Sequence, residues 1–302
     1  MLYTLTLLVF FLWFLFPADA VKERVEADLG RVTPGLTWSI GKIGLAFPLD
    51  IRFTDINVRK NGRKKKDIVF KVDSLSLRPD VMTWQQSGNW SAWYQMKMLA
   101  GGEIKGGFQL TQEHTILQYT AEVQGIKLDN PELKNFFQQY GRTLSGQFLG
   151  NFTGSWDLRQ GKSADLTGLV RINKGKISLQ ESVLGMEELA FEQVSSKIKY
   201  HSKRLHINDG KMKSRQLGAE FNGTLRAHPT IFYLSWLQLK GSLIPRSEFM
   251  TSIGDARLQS VLKRQLKEGK MPFKVTGALK EPGIVFTGLP ADFSRRLRKR
   301  GR

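Results

Sequence analysis

From Leu36 onward the dominant period of the chain is two. Apolar and polar residues alternate in Ile68-Val69-Phe70-Lys71-Val72, in Gly106-Gly107-Phe108-Gln109-Leu110 and from Ile116 to Val123. Alternation turns one set of side chains to a buried face and the other to water, so these runs predict strands. The clearest case is Leu144 to Trp156, where Leu144, Gly146, Phe148, Gly150, Phe152, Gly154 and Trp156 fall on one face. Glycine interleaved with aromatic residues predicts a strongly curved or closely covered sheet. The dipeptides Asn61-Gly62, Lys174-Gly175, Asp209-Gly210 and Asn222-Gly223 predict tight hairpins, because Asn and Gly tolerate positive φ. Runs of the form apolar-x-Gly-x-apolar recur at Leu166–Val170, Leu217–Leu225 and Leu239–Leu243, as stacked hairpins would give, although their spacing is irregular. Residues 32–290 therefore read as a mainly β body, an antiparallel meander with a few short helices.

Three segments depart from that period. Leu133, Phe136, Phe137 and Tyr140 sit at helical spacing in a segment opened by Asn130 and closed by Gly141. Leu258, Val261, Leu262 and Leu266 form a similar stripe between Asp255 and Lys267. Both predict short packing helices. Val21, Val25 and Leu29 recur every four residues among charged neighbours, which predicts an amphipathic stalk helix over 21–31 ending at Gly30. Its one apolar stripe would pack on the β body or on a membrane surface.

Before it, Leu2 to Phe16 is an apolar and aromatic run broken only by the hydroxyls of Tyr3, Thr4 and Thr6. As a helix it would span about 22 Å, short of the roughly 30 Å hydrocarbon core. Continued through Pro17, Ala18 and Ala20, residues 1–20 read as a slightly short transmembrane anchor. Ala18-Asp19-Ala20 also has the small-x-small form of a signal-peptidase site, so a cleaved leader stays open. A buried core helix fits poorly, since the run has no polar face. Lys22, Arg24 and Arg31 follow the run, and under the positive-inside rule they argue against export of the body.

The net charge of +19 narrows the partners to anionic lipid headgroups or nucleic acid. Much of the excess lies in two clusters. One is Arg59, Lys60, Arg63, Lys64, Lys65 and Lys66, about an Asn-Gly turn. The other is Arg295, Arg296, Arg298, Lys299, Arg300 and Arg302, in a tail over 291–302 that reads as disordered. Each is a solvated surface by default, and Arg63, Lys64, Lys65, Lys66, Arg298, Lys299 and Arg300 are the candidate contacts to anionic lipid. Nucleic acid is not an expected partner: the aromatics fall with glycine on strand faces, away from the basic runs, and no recognition module is visible.

Nothing in the sequence supports catalysis or a cofactor. The histidines His114, His201, His206 and His228 are scattered, and His201 and His206, five apart on one strand, would lie on opposite faces. Without cysteine or clustered carboxylates a metal site has no ligands. Glu187-Glu188 reads as a solvated turn, and phosphate-cradling or nucleophile-elbow motifs are missing.

Two stretches carry a family resemblance. The first runs from Phe16-Pro17-Ala18-Asp19-Ala20 through Pro34-Gly35-Leu36-Thr37-Trp38-Ser39-Ile40-Gly41 to Leu45–Val58. It resembles the GspN proteins of bacterial type II secretion systems, in the form that is itself similar to AsmA-like envelope proteins. The second, Pro272 to Phe286 with Gly277-Ala278-Leu279-Lys280-Glu281-Pro282, is similar to the closing strand pair of AsmA-like chains. The resemblance implies a single-pass inner-membrane anchor, a periplasmic body and a curved antiparallel sheet with an apolar groove. It also implies either an accessory role among type II secretion components or the binding and transfer of phospholipid. In that groove Phe148, Phe152, Trp156, Phe221 and Leu225 would line the trough; the alternative is that they fill a closed sandwich core.

Overall fold

The computed structural model describes residues 14–33, 35–46, 50–60, 68–98, 101–111, 115–130, 143–159, 164–183, 186–228, 234–252, 256–266 and 268–287. The chain is mainly β and antiparallel. It divides into two compact units, Met1–Ile126 and Lys127–Arg302.

In unit 1, helix α1 (Ala18–Val32) precedes β1 (Leu36–Ser39), β2 (Lys42–Ala46), β3 (Asp50–Lys60) and β4 (Ile68–Pro79). A short helix α2 (Val81–Ser87) then leads to β5 (Trp90–Met98), β6 (Glu103–Leu110) and β7 (Ile116–Lys127). The strand order is β1-β3-β4-β5-β6-β7, with β2 pairing the first half of β3 and β1 the second. The predicted alternation holds along these strands but changes phase in the middle of β3 and β4. Asp55, at φ 55, stands opposite Asp73 in the β3–β4 register, and each strand carries one additional residue there. Ile51 and Phe53 therefore share a face with Ile56, and Leu75 and Leu77 share it with Val72.

Helix α1 covers that face. Phe16, Val21 and Val25 pack on a core in which Ile40 is 2% and Val72 3% exposed. The predicted stripe is correct, but the helix runs past Gly30 to Val32. It stops where the Thr33 N–H and hydroxyl both donate to the Leu29 carbonyl, at 2.9 and 2.6 Å. The Glu26 carboxylate accepts from the Ile40 N–H at 2.6 Å, and Lys22 reaches the Gly41 carbonyl at 3.4 Å. These contacts orient α1 antiparallel to β1 and β2, so its first turn points toward Ala46.

Unit 2 holds β8 (Leu144–Asp157), β9 (Asp165–Val183), β10 (Met186–His201), β11 (Arg204–Lys213) and β12 (Leu217–Arg226). After these come β13 (Trp236–Pro245), helices α3 (Ser247–Ser252) and α4 (Ala256–Gln265), β14 (Met271–Ala278) and β15 (Gly283–Phe286). Each strand pairs with the next in sequence, and β15 pairs only β14. The core of unit 2 forms where α3 and α4 press Phe249 and Leu262 onto Leu217 and Met271. Helix α4 falls within the predicted segment 255–267, and Pro272–Phe286 spans the antiparallel pair β14 and β15. The predicted helix after Asn130 lies outside the described residues.

Three of the four predicted hairpin dipeptides are not turns. Lys174-Gly175 lies inside β9, Asp209-Gly210 inside β11 and Asn222-Gly223 inside β12. Lys174 and Asp209 do take positive φ, 48° and 51°, but they use it to insert a residue into a continuing strand. The Asn222 side chain accepts the N–H of Asp209 at 2.8 Å, a backbone donor that the bulge releases from the ladder. The turn joining β10 to β11 is Ser202-Lys203, both at positive φ, and no glycine marks it. Asn61-Gly62 lies outside the described residues.

Candidate functional site

The strand registers of unit 2 bring the five predicted trough residues onto one face. Phe148 pairs Ile172, and Phe152 pairs Gly168. From there the row continues through Val194 and Ile198 on β10 and Leu205 and Ile207 on β11. It goes on to Phe221 and Leu225 on β12 and Leu237 and Leu239 on β13. Trp156 lies four residues beyond Phe152 on the same face of β8. Among the described residues, the strands that carry these side chains belong to one open antiparallel sheet.

Glycine and aromatic residues fit together on this face in a specific way. A Cβ added at Gly150 would meet the Phe152 ring at 2.6 Å, and one at Gly168 would meet it at the same distance. The Phe221 ring lies 2.4 Å from the corresponding position at Gly210, and the Phe191 ring 2.3 Å from that at Gly175. The rings lie down on bare backbone and do not stand up from the sheet. That arrangement shields the ladder hydrogen bonds that glycine leaves open to water. Phe148 and Phe152 stack at 6.4 Å with 19° between their planes, the geometry of a favourable offset pair. Gly-aromatic alternation therefore reflects rings packed over glycine backbone.

Even so, the face is incompletely buried. Leu225 is buried at 8% exposure, but Phe148, Phe152, Trp156, Phe221, Ile172, Val194, Ile198 and Ile207 are only half-buried. The buried cluster lies under α3 and α4, about Leu217 and Met271.

The opposite face of unit 2 is polar and basic. Lys197, Lys199, His206, Lys211, Lys240 and Lys274 alternate with the apolar row. Sequence reasoning placed the charge excess in two linear clusters and missed this third one. Its members are spread over four strands and assemble only through register. His201 and His206 also come to lie together on that polar face, because the Ser202-Lys203 turn folds β11 back on β10. His201 Nδ1 lies 2.6 Å from an Asp165 carboxylate oxygen. Among the described residues no group of His, Asp or Glu has the arrangement of a metal site. Glu188 sits in β10, not in a turn, and forms an ion pair with Lys176.

The polar face of unit 1 carries a cleft of about 490 Å³ lined by Lys42, Arg52, Lys97, Asp55 and Asp73 with neighbouring hydroxyls.

The candidate lipid contacts Arg63, Lys64, Lys65 and Lys66, and Arg298, Lys299 and Arg300, lie outside the described residues. So does most of the predicted anchor. Among the described residues no helix is long and apolar enough to cross a membrane. The chain matches no protein-family model, no curated protein and no solved structure.

Proposed function

We propose that the apolar face of unit 2 is a trough for the acyl chains of lipid, in a non-enzymatic protein that Leu2–Phe16 anchors to the bacterial inner membrane with its body in the periplasm. One observation carries the reading. A row of aliphatic and aromatic side chains crosses six consecutive strands, β8 to β13, and most of it is only half-buried. Contiguous apolar surface of that extent on a folded protein marks a ligand or interaction site, because leaving it in water costs free energy. Flexible acyl chains suit it better than a rigid polar ligand, since the described row offers aliphatic groups and ring faces and few hydrogen-bonding side chains. The accessory role in type II secretion rests on the sequence resemblance alone.

The full chain, extracted in mild detergent, is expected to carry stoichiometric phospholipid by native mass spectrometry. Ile198→Asp places a carboxylate in the half-buried row and should reduce that lipid about tenfold, given the cost of a charge against hydrocarbon, while leaving the circular dichroism unchanged. A wild-type protein free of lipid, or an Ile198→Asp protein with its lipid intact, overturns the trough. Secretion components in place of lipid would favour the accessory reading. An N-terminus at Val21 in the same sample would show a cleaved leader.

A further inference from the structure

We infer that helix α2 and the start of β5 form a membrane seat, which dips into the headgroup region of the bilayer that the N-terminal run enters. The inference rests on the reading of Leu2–Phe16 as that run.

Four exposed large apolar side chains of unit 1 lie together here, while Trp93, 60% exposed, falls on the other face of β5. Val81 is 49%, Met82 67%, Trp84 50% and Trp90 54% exposed. The two indoles contact each other, with ring centroids 5.6 Å apart. Four such groups within ten residues are not the scattered singles of an ordinary surface. The helix that presents them is firmly held. The Asp80 carboxylate accepts from the Thr83 N–H at 3.1 Å and from its hydroxyl at 2.6 Å, and Gly88 closes the other end at φ 68. Preorganised tryptophan beside Val and Met is the composition that partitions to a bilayer interface, where an indole keeps its ring in hydrocarbon and its N–H in water.

Topology places this patch beside the end of the apolar run. Strand β4 finishes at Pro79, which pairs Ala92 of β5, and Leu77 pairs Ile51 near the start of β3. Ile51 in turn pairs Leu45 at the end of β2, toward which the first turn of α1 points. Phe16 packs on the same apolar cluster as Ile51 and Leu77, and just before it Phe14 and Leu15 are 77% and 68% exposed. Trp90 falls on the sheet face that α1 covers, by alternation from Tyr94 and Met96. The patch and Phe14–Phe16 thus lie at the same end of unit 1 and on the same side. In sequence Arg63–Lys66 fall between the end of β3 at Lys60 and the start of β4 at Ile68, away from Pro79, so the seat relies on apolar and indole groups.

The chain has no cysteine, so single probes can be placed in the full-length protein. An environment-sensitive fluorophore on Met82→Cys, Leu8→Cys or Gln238→Cys is read in phosphatidylcholine–phosphatidylglycerol vesicles carrying a nitroxide either shallow or deep in the acyl chain. The Met82 probe is expected to be quenched about twofold by the shallow nitroxide, as immersion by about 5–10 Å requires, and the Gln238 probe not at all. Deep quenching at Leu8 with none at Met82 overturns the seat and leaves the anchor standing. Shallow quenching at Met82 without quenching at Leu8 supports the seat and removes the anchor. If neither probe is quenched, both fall. If the Met82 probe is already shielded from aqueous iodide without vesicles, the run itself covers the patch and the seat is overturned.

Discussion

The two units use the same material, an antiparallel sheet with one apolar face, and finish it differently. In unit 1 the chain supplies its own cover: α1 lies on the face, and Ile40, Ile56 and Val72 fall to 5% exposure or less. In unit 2, α3 and α4 cover the Leu217–Met271 end, while the remaining row from Phe148 to Leu239 is half-buried. The uncovered face carries the glycines with rings laid over them, a way of protecting backbone that needs no second layer. Burial against a helix makes a core; burial of glycine backbone under rings leaves an apolar surface still able to take up a ligand.

The largest expected effect tests how closely the strands of unit 2 are apposed. A Cβ at Gly223 would stand 2.1 Å from the Gln238 carbonyl oxygen, a backbone atom that cannot give way without moving β13, whereas Gly44 in unit 1 has no atom within 4 Å. Gly223→Val should cost about 3 kcal/mol, and Gly44→Val less than about 0.5 kcal/mol. Urea denaturation gives the two values, and hydrogen exchange should place the loss from Gly223→Val in β12 and β13. Equal costs would mean that the strands of unit 2 are not so closely apposed.

A matched truncation probes the cover. Ile56 in unit 1 is 5% exposed, and Ile198 in unit 2 is half-buried. Ile56→Ala is expected to cost about 3 kcal/mol through lost burial and a residual cavity, and Ile198→Ala about 1 kcal/mol, since water already reaches part of it. If Ile198→Ala proved as costly as Ile56→Ala, the row in unit 2 would be sealed in solution, and the trough would be lost with it.

What the sequence could reveal follows from which interactions are local. Period-two alternation disclosed the strands, and the stripes at Val21–Val25 and Leu258–Leu266 disclosed two helices, because both signals come from one segment facing one partner. Phe148, Phe152 and Trp156 could be placed on one face from their spacing alone. Adding Phe221 and Leu225 to that face required the strand pairing. Phase changes were hidden: Asp55 and Asp73 resemble ordinary polar positions until their strands are set side by side. The X-Gly dipeptides were misleading because positive φ serves a bulge as well as a turn, and only the tertiary ladder selects between them. The seat at Val81–Trp90 went unnoticed, since its significance lies in exposure, which alternation cannot report.

The smallest expected effect separates the units by charge. Arg78 makes two bonds to the Asp50 carboxylate, at 2.7 and 2.8 Å, and the Asp50 side chain is 13% exposed. In unit 2 the pairs Lys197–Asp209 and Lys270–Glu220 sit at 2.9 Å, with the carboxylates 62% and 51% exposed. Hydrogen bonding, from Arg78 to Asp50, from Lys197 to Asp209 and from Lys270 to Glu220, holds all three carboxyls below their usual range. A carboxyl with a depressed folded pKa stabilises the fold fully above its unfolded value, near 4, and ceases to do so as pH falls through the folded value. Stability should therefore decline on acidification below about pH 4. In molar salt the exposed pairs are screened, so Asp209→Asn and Glu220→Gln should leave the acid profile unchanged, whereas Asp50→Asn should still flatten it. Denaturation midpoints followed across that range decide the matter. A profile for Asp50→Asn that overlies the wild type in salt would show that the Asp50–Arg78 link is no stronger than the open pairs of unit 2.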